Sequence, residues 1–212
     1  ADKARGSGRN EVIRTWSRYV LFGLRHIVGL RIEVRGAEPM PAGGGLIAAK
    51  HMGMLDTVAP FDFLADPAFV LKKELLKVPV YGWFALRAGM VPVDREAHSK
   101  ALKQLVADAR GRLAQGRQIV IFPEGTRKEV GEPPDYKPGV AALYRELGVD
   151  CIPMATNSGL TWPAHGGGWR PGVAVFELLA PIPAGLKRAD FMRQLEERTE
   201  AATARLVAEA RA

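Results

Sequence analysis

Short runs of apolar, β-favouring residues alternate along this chain with longer segments of helical spacing, and this alternation restricts its fold more than any other feature. The runs occupy positions 31–34, 46–49, 68–71, 90–93, 118–122, 151–156 and 173–178, and each ends at Gly, Pro or a charged turn. Several contain almost no polar residue, which is typical of strands covered on both faces. The pattern predicts an α/β fold in which helices flank a largely parallel sheet in a single domain.

Helical patterns fill the gaps between these runs. The clearest spans 97–115, where apolar residues share one face before Gly116 ends the helix. Further helices are predicted at 57–65, at 74–87 with an interruption at Pro79, at 138–147, and from about 188 onward. In sheets of this kind ligands bind at the carboxyl ends of the strands. The residues that follow each run are therefore the candidates for chemistry.

The net charge restricts the partners. Thirty Lys and Arg against 23 Asp and Glu give +7, which indicates an anionic partner such as nucleic acid, a phosphorylated small molecule or an acidic membrane surface. Residues 1–35 hold eight basic and three acidic side chains, so this stretch alone accounts for +5 of the +7. The partner that this charge serves is expected to contact the N-terminal part of the chain.

Residues 11–30 keep helical spacing, and Arg14, Arg18 and Arg25 fall within about 40° of one another on that helix. Trp, Tyr and Phe lie beside this basic stripe, and the arginines interrupt the segment too often for it to span a bilayer. Two interpretations remain open. The helix lies in the headgroup region of an anionic leaflet, or it packs on the domain with its arginines facing water.

One histidine stands at a strand end with a carboxylate close behind it. His51 follows the run at 46–49 and Asp56 opens the next helix, so a turn at Gly53 can bring the carboxylate to the imidazole. Such a carboxylate fixes the tautomer, leaves the other ring nitrogen as a base and stabilises the imidazolium. No Ser or Cys lies nearby in sequence, so the base would activate an incoming hydroxyl directly. The alternative is that Asp56 only caps the helix beginning at Thr57.

The turn FPEGTR at 122–127 follows another run. Gly125 lets the backbone approach a ligand, Thr126 offers a hydroxyl, and the Arg127 guanidinium can bind a phosphate through two hydrogen bonds. The alternative is a plain β-turn with a surface arginine. Two more strand-end cations can add charge to the same phosphate, or else are simply solvated: Lys72 and Arg95.

On the basis of these residues, the chain resembles the glycerolipid acyltransferase family from about residue 16 to the C-terminus. The four sequence blocks of the family occur in order: H-x-x-x-x-D from His51 to Asp56, the arginine Arg95 in VPVDR, FPEGTR at 122–127, and Ile152-Pro153 in the run at 151–156. The segment at 72–75, KKEL, followed by VPVYGW, resembles the linking segment of the family. Four ordered blocks are far more specific than any one of them.

The resemblance implies acyl transfer from a thioester donor, acyl-CoA or acyl carrier protein, to the sn-2 hydroxyl of 1-acyl-sn-glycerol 3-phosphate, which gives phosphatidic acid. It implies that His51 takes the hydroxyl proton while Asp56 orients the imidazole. Cations would hold the acceptor phosphate, and the turn at 122–127 would shape the acceptor site: Lys72, Arg95 and Arg127 for the phosphate, and Glu124, Gly125 and Thr126 for the site. No metal and no organic cofactor is implied.

Three positions depart from the family pattern. Gly53 and Leu55 stand where the family often has serine and an aromatic residue, and Lys50 stands where asparagine is common. These changes leave the histidine and aspartate intact but affect the acceptor, so acylation of another lysolipid, such as lyso-ornithine lipid, is the alternative. The alternative from another class is a non-catalytic, membrane-associated lipid-binding protein, which would need no histidine and aspartate pair.

We accordingly interpret residues 1–30 as a basic amphipathic membrane-interface segment and residues 31–212 as the acyltransferase domain. The expected partners are the acyl donor, lysophosphatidic acid and an anionic membrane surface, at the cytoplasmic face of the bacterial inner membrane. Nucleic acid is not expected, because neither base-stacking aromatics nor a known nucleic-acid-binding fold accompanies the cations. Cys151 lies inside an apolar run and is expected to be a buried structural thiol rather than an acyl-cysteine.

Overall fold

Each predicted apolar run forms a strand. The structure is a computed structural model that describes residues 11–36, 44–94 and 98–212, without the side chains of 98–100. The strands are β1 (Leu30–Arg35), β2 (Gly45–Ala49), β3 (Pro67–Lys72), β4 (Val91–Val93), β5 (Gln118–Ile121), β6 (Cys151–Thr156) and β7 (Gly172–Leu178). The helices are α1 (Glu11–Gly23), α2 (Leu55–Val58), α3 (Pro60–Phe63), α4 (Tyr81–Arg87), α5 (His98–Leu113), α6 (Gly139–Leu147) and α7 (Arg188–Glu209).

The strands form one seven-stranded sheet in the order β1-β7-β6-β2-β5-β3-β4. Strands β2, β3, β4, β5 and β6 run parallel, so their carboxyl ends share one edge. Strand β7 pairs antiparallel with β6, and β1 pairs parallel with β7, so these two run in the opposite direction. The prediction of a single α/β domain with a largely parallel sheet is confirmed.

Alternate residues of the strands face two helical layers. On β2, Ile47 and Ala49 pack into the core shared with α1, α2, α3 and α4, whereas Leu46 and Ala48 pack into the core shared with α5, α6 and α7. Both faces of the sheet are therefore covered, which is why the runs contain so few polar residues. The buried thiol of Cys151 belongs to the second core, and burial raises its pKa, as expected for a structural cysteine.

Two predicted helices are broken by prolines. The pattern at 57–65 is split into α2 and α3, and Pro60 is the first residue of α3, where a missing N–H costs nothing. The pattern at 74–87 is split into a 3₁₀ turn (Lys73–Lys77) and α4 on either side of Pro79. Proline removes a backbone donor and clashes with the preceding helical turn, so a continuous helix ends before it.

One narrow face of helix α1, which carries both polar and apolar side chains, packs on the domain. Ser17 is fully buried, and its hydroxyl donates to the Val58 carbonyl at 2.8 Å. Arg18 pairs with Asp62 at 3.0 Å, and Arg14 donates to the Leu64 carbonyl at 3.1 Å. Two of the three arginines of the basic stripe therefore bond to the domain.

The opposite face of α1 and of the π-helical turn that follows it (Leu24–Val28) is apolar. It presents side chains that are each more than half exposed: Val12, Trp16, Tyr19, Phe22 and Ile27. The helix is therefore docked on the domain, with two of its arginines bonded there rather than free in water, and the position of its exposed apolar face in a lipid headgroup region stays a prediction. In the part of the chain that the structure describes, every helix is too short or too polar to cross a bilayer.

Candidate active site

His51 stands at the carboxyl edge of the sheet, directly after β2 and Lys50. Its Nδ1 lies 3.1 Å from Oδ2 of Asp56, and its ring stacks on Phe122 with the centroids 3.9 Å apart. Because a carboxylate can only accept this hydrogen bond, Nδ1 of a neutral His51 ring carries the proton and Nε2 carries the lone pair. Nε2 makes no hydrogen bond to any described residue, and this leaves it available as a base.

Asp56 is fully buried and its carboxylate is surrounded by donors. Oδ2 accepts from the backbone N–H groups of Met52 at 2.6 Å and Gly53 at 2.9 Å, and Oδ1 accepts from the Ser158 hydroxyl. These bonds stabilise a buried anion without a cation. The helix-cap alternative is wrong, because α2 begins without a side-chain cap and the carboxylate bonds amides that precede the helix.

Gly53 has a structural reason to be glycine. A Cβ at this position would lie 2.2 Å from the carbonyl oxygen of Trp162, so a side chain there would force the two loops apart. This close approach accounts for the absence of the serine that the family often has at this position. The histidine and aspartate geometry does not depend on that serine, because the backbone amide of Gly53 itself holds Asp56.

Ser158 is a site residue that the sequence did not reveal. It follows β6, is fully buried, and donates to Asp56, which lies 102 positions earlier in the chain. Its hydroxyl is directed at the aspartate and makes no bond to His51, so it positions Asp56 and is not placed as a nucleophile. The only signal in the sequence is its place directly after the fourth family block, at the end of a strand.

Lys50 forms a second buried network beside the pair. Its Nζ lies 2.9 Å from Oε1 of both Glu124 and Glu200, and the Tyr136 hydroxyl donates to Glu200 at 3.0 Å. Burial raises the pKa of Glu124, and the hydrogen bond and charge of Lys50 oppose that rise. Glu124 thus faces the interior in this structure, where it joins the turn at 122–127 to β2, and its predicted contact with an acceptor stays a prediction.

The second half of the turn at 122–127 is more exposed than Pro123 and Glu124, which are buried. Gly125 adopts a φ of 66°, a left-handed conformation that favours glycine, and its N–H bonds the Phe122 carbonyl at 3.0 Å. Thr126 is exposed and Arg127 is half-buried. The N–H of Lys128 donates to the His51 carbonyl at 2.8 Å, which fixes Arg127 next to the histidine along the edge of the sheet.

Of the other predicted cations, Lys72 ends β3 and is exposed. Neighbouring strands lie about 5 Å apart, and β5 separates β2 from β3, so the ends of these strands are about 10 Å apart. Neither Lys72 nor Arg127 is paired with a carboxylate among the described residues. Arg95 lies outside the described residues, so its predicted role stays a prediction.

A parallel α/β sheet with a histidine and aspartate pair and unpaired cations at its carboxyl edge defines an acyltransferase-type domain, as the resemblance implies. A sequence model of the family described as Acyltransferase matches residues 31–157. The chain belongs to this acyltransferase family, and the prediction that it is an enzyme of this class is confirmed.

Its relatives agree. The chain is 33% identical over 198 residues to the 1-acyl-sn-glycerol-3-phosphate acyltransferase of Pseudomonas aeruginosa, covering 93% of this chain and 77% of that protein. It is 28% identical over 153 residues to the human 1-acyl-sn-glycerol-3-phosphate acyltransferase alpha, covering 71% of this chain and 54% of that protein. The chain therefore spans about half the length of the human relative and about three quarters of the bacterial one.

A solved structure supports the fold. The crystal structure of the 1-acyl-sn-glycerophosphate (LPA) acyltransferase PlsC from Thermotoga maritima superimposes with a TM-score of 0.74. The match covers 92% of this chain and 79% of that one at 20% sequence identity, and at this identity it speaks to the fold alone.

Proposed function

We propose that the chain transfers a fatty acyl group from acyl-CoA or acyl carrier protein to the sn-2 hydroxyl of 1-acyl-sn-glycerol 3-phosphate, giving phosphatidic acid. The observation that carries this proposal is the contact of His51 Nδ1 with Asp56 at 3.1 Å, which leaves Nε2 free at the carboxyl edge of the sheet. The names of the bacterial and human relatives support the choice of acceptor.

In the proposed mechanism the acceptor hydroxyl gives its proton to Nε2 of His51 as its oxygen attacks the thioester carbonyl carbon. The new C–O bond forms a tetrahedral intermediate, and Asp56 stabilises the imidazolium. The intermediate then collapses, the C–S bond breaks, and the departing thiolate takes the proton from His51 and leaves as a thiol. The acyl group moves directly to the acceptor, so no acyl-enzyme is needed.

The acceptor phosphate is assigned to Arg127 and Lys72, with Arg95 as a third cation that lies outside the described residues. The support is that Arg127 and Lys72 reach the same edge as His51 and carry charge that no described carboxylate neutralises. A guanidinium can bind two phosphate oxygens at once, which orients the acceptor as well as attracting it. Gly125 and Thr126 would line the acceptor site beside it.

The proposed place of action is an anionic membrane surface, at the cytoplasmic face of the bacterial inner membrane. Its support is the exposed stripe of α1, where Trp16, Tyr19 and Phe22 face away from the domain. Aromatic side chains on one face of a charged helix are typical of interfacial helices. The segment 1–30 would thus bring the domain to its lipid acceptor.

The test is an acyl-transfer assay with labelled acyl-CoA or acyl carrier protein and a panel of lysolipids, in which products are identified by mass. We expect phosphatidic acid, and we expect His51→Ala to reduce kcat by roughly 10²–10⁴-fold, the usual contribution of a general base. Arg127→Ala should raise KM for the acceptor and leave KM for the thioester unchanged.

The alternatives give different outcomes in this assay. If lyso-ornithine lipid is acylated and lysophosphatidic acid is not, the acceptor is wrong but the chemistry stands. If His51→Ala retains the wild-type rate, the proposed general base is wrong. If no lysolipid is acylated while the chain still binds lipid, the non-catalytic lipid-binding alternative replaces the enzyme.

A further inference from the structure

The outer surface of residues 75–86 is strongly apolar, and the proposed reaction does not use it. This surface, which we call the α4 patch, consists of side chains that are between 38% and 69% exposed: Leu75, Val78, Val80, Tyr81, Trp83 and Leu86. Among the described residues, all other large hydrophobic side chains that are exposed lie at positions 12–54, except Trp169 and Val173. The α4 patch is thus one of two places where apolar surface is concentrated.

The α4 patch is presented by a firmly packed segment. Ala85 and Ala88 are buried in the core beneath α4. Gly82 is buried, and a Cβ on it would lie 1.9 Å from the Leu76 carbonyl oxygen, so α4 and the 3₁₀ turn touch backbone to backbone. At the tip, Val80 has a φ of 67°, a strained conformation for a β-branched residue that persists only where its surroundings enforce it. The apolar side chains point outward because their segment is held that way.

Cations lie within and at both ends of the segment that forms the α4 patch. Residues 72–87 contain four cations and a single acidic residue, Glu74: Lys72, Lys73, Lys77 and Arg87. Arg87 lies over the ring of Trp83 at 4.8 Å, and Lys73 pairs with Asp94 at 3.3 Å at the border of the patch. Aromatic and aliphatic side chains inside a border of Lys and Arg match the interface of an anionic bilayer, where rings enter the headgroup region and cations meet the phosphates.

The α4 patch lies on the same side of the sheet as the stripe of α1. Helix α1 and helix α4 pack on one core, whereas α5, α6 and α7 cover the opposite face. The segment also follows β3 at the carboxyl edge, the edge that carries His51. Met54, in the turn after His51 at that same edge, is a further exposed apolar side chain.

We propose that the α4 patch is a second membrane-docking surface, which acts together with the stripe of α1 to lay the His51 edge of the domain against an anionic bilayer. The occupant of the patch is the bilayer, because the border of cations and the interfacial aromatics suit a lipid surface. This inference goes beyond the proposed reaction, and it can be tested without any acyl transfer.

The first test asks whether Trp83 enters the lipid. Vesicles of phosphatidylcholine and phosphatidylglycerol with brominated acyl chains quench the fluorescence of a tryptophan that inserts among them. We expect Trp83→Phe to remove a substantial part of the quenching seen in the wild-type chain. Trp162→Phe, which replaces a tryptophan that is only partly exposed and packs against the core, should remove much less of it. Equal quenching in the Trp83→Phe variant and the wild type would overturn the proposal.

The second test measures vesicle binding by sedimentation. Replacing Val80 by Asn and Leu86 by Ser removes two exposed apolar side chains, and Asn tolerates the positive φ of position 80 better than Val. We expect binding to the phosphatidylglycerol vesicles to weaken by roughly tenfold or more, with an unchanged thermal transition. Lys77→Glu should weaken binding to these vesicles, whereas Lys187→Glu on the opposite layer should have little effect.

A competing occupant would give its own result. If the wild-type chain is a dimer in solution and the Val80→Asn, Leu86→Ser variant is a monomer that binds vesicles normally, a second copy covers the patch and the proposal is wrong. Loss of vesicle binding with an unchanged oligomeric state supports it. Either outcome is independent of the acyl-transfer assay, so failure of the docking surface and failure of the enzymatic proposal are distinguishable.

Discussion

At the scale of single residues, the candidate site depends on how one buried carboxylate is held. Asp56 has lost all contact with solvent, yet it accepts bonds from two backbone amides, a serine hydroxyl and the imidazole. The two amides belong to the turn after β2, so their bonds hold the Asp56 carboxylate against that turn. The hydroxyl of Ser158 comes from the turn after β6, so this bond joins Asp56 to a segment that follows another strand.

Ser158→Ala is expected to reduce kcat by roughly tenfold without changing KM for either substrate, because a carboxylate that lacks one donor orients the imidazole less firmly. It should also destabilise the fold by about 1–3 kcal/mol, the cost of a buried acceptor left without its donor. Steady-state kinetics and chemical denaturation measure the two effects.

The matched control is Thr203→Val. Thr203 also has a buried hydroxyl, but that hydroxyl has no hydrogen-bond partner among the described residues. Its loss should therefore lower neither kcat nor the free energy of unfolding. A Ser158→Ala variant that loses stability but keeps its full kcat would show that the serine is only structural.

Lys50 illustrates how a departure from the family pattern is compensated. A lysine that is only 2% exposed needs partners, and Glu124 and Glu200 provide them at 2.9 Å. A charged side chain therefore stands where the family commonly has an asparagine. Glu200 on α7 supplies the second of the two carboxylates that pair with it. The motif residue Glu124 is thereby tied to the C-terminal helix, a connection that no local pattern indicates.

At the scale of elements, α1 has two faces with different surroundings. One face docks on the domain through Ser17, and the other presents Trp16 and Tyr19 to the surroundings. Deleting residues 1–30 would also remove Leu24 and Leu30, both of which are buried in the core. Substitutions on one face at a time are therefore the sharper test of the interfacial helix.

Replacing Trp16 and Tyr19 by Ser is expected to weaken binding to anionic vesicles by roughly tenfold or more and to leave thermal stability unchanged, because both side chains are exposed. Ser17→Ala should give the opposite result. It breaks the bond to the Val58 carbonyl, so stability should fall by about 1 kcal/mol while vesicle binding persists. Sedimentation with vesicles and thermal unfolding report the two properties, and unchanged sedimentation of the double variant would contradict an interfacial role for α1.

At the scale of the whole molecule, the candidate site and a buried stabilising network lie at opposite edges of the sheet. The carboxyl edge carries the candidate site. The amino edge carries Arg117, which is 2% exposed and donates to Asp66 at 3.1 Å and to the carbonyl oxygens of Gly89 at 3.0 Å and Pro67 at 2.9 Å. These bonds join the segments that lead into β3, β4 and β5.

Arg117→Met is expected to destabilise the fold by about 3–5 kcal/mol, since it leaves a mostly buried carboxylate and two carbonyl oxygens without this donor. The kcat of the folded fraction should remain that of the wild type, because the site lies at the opposite edge. Arg145→Met is the control. Arg145 pairs with Glu146 at the surface, and its loss should change stability by less than about 0.5 kcal/mol. A large fall in kcat for folded Arg117→Met would contradict this separation of tasks.

Much of this architecture was predictable from the sequence. Apolar runs buried on both faces must be strands of a covered sheet, so the run at 68–71 is β3 (Pro67–Lys72) and the run at 151–156 is β6 (Cys151–Thr156). The pair of His51 and Asp56 was also predictable, because only four residues separate the two partners along the chain. Where prediction was incomplete, as in the helix at 57–65, a proline near the middle divided the pattern into α2 and α3.

The sequence by itself determined the strands, the edge on which the chemistry lies, the family, and the histidine with its aspartate, because each of these is recognised from runs or motifs whose own residues are close together along the chain. Only the tertiary structure decided which strands run against the rest, which carboxylates surround Lys50, that Ser158 holds Asp56, and that the apolar surfaces of α1 and α4 lie on the same side of the sheet. The physical reason is that these contacts join segments far apart in sequence. Side-chain burial and hydrogen bonding between such segments are fixed only when the sheet brings them together.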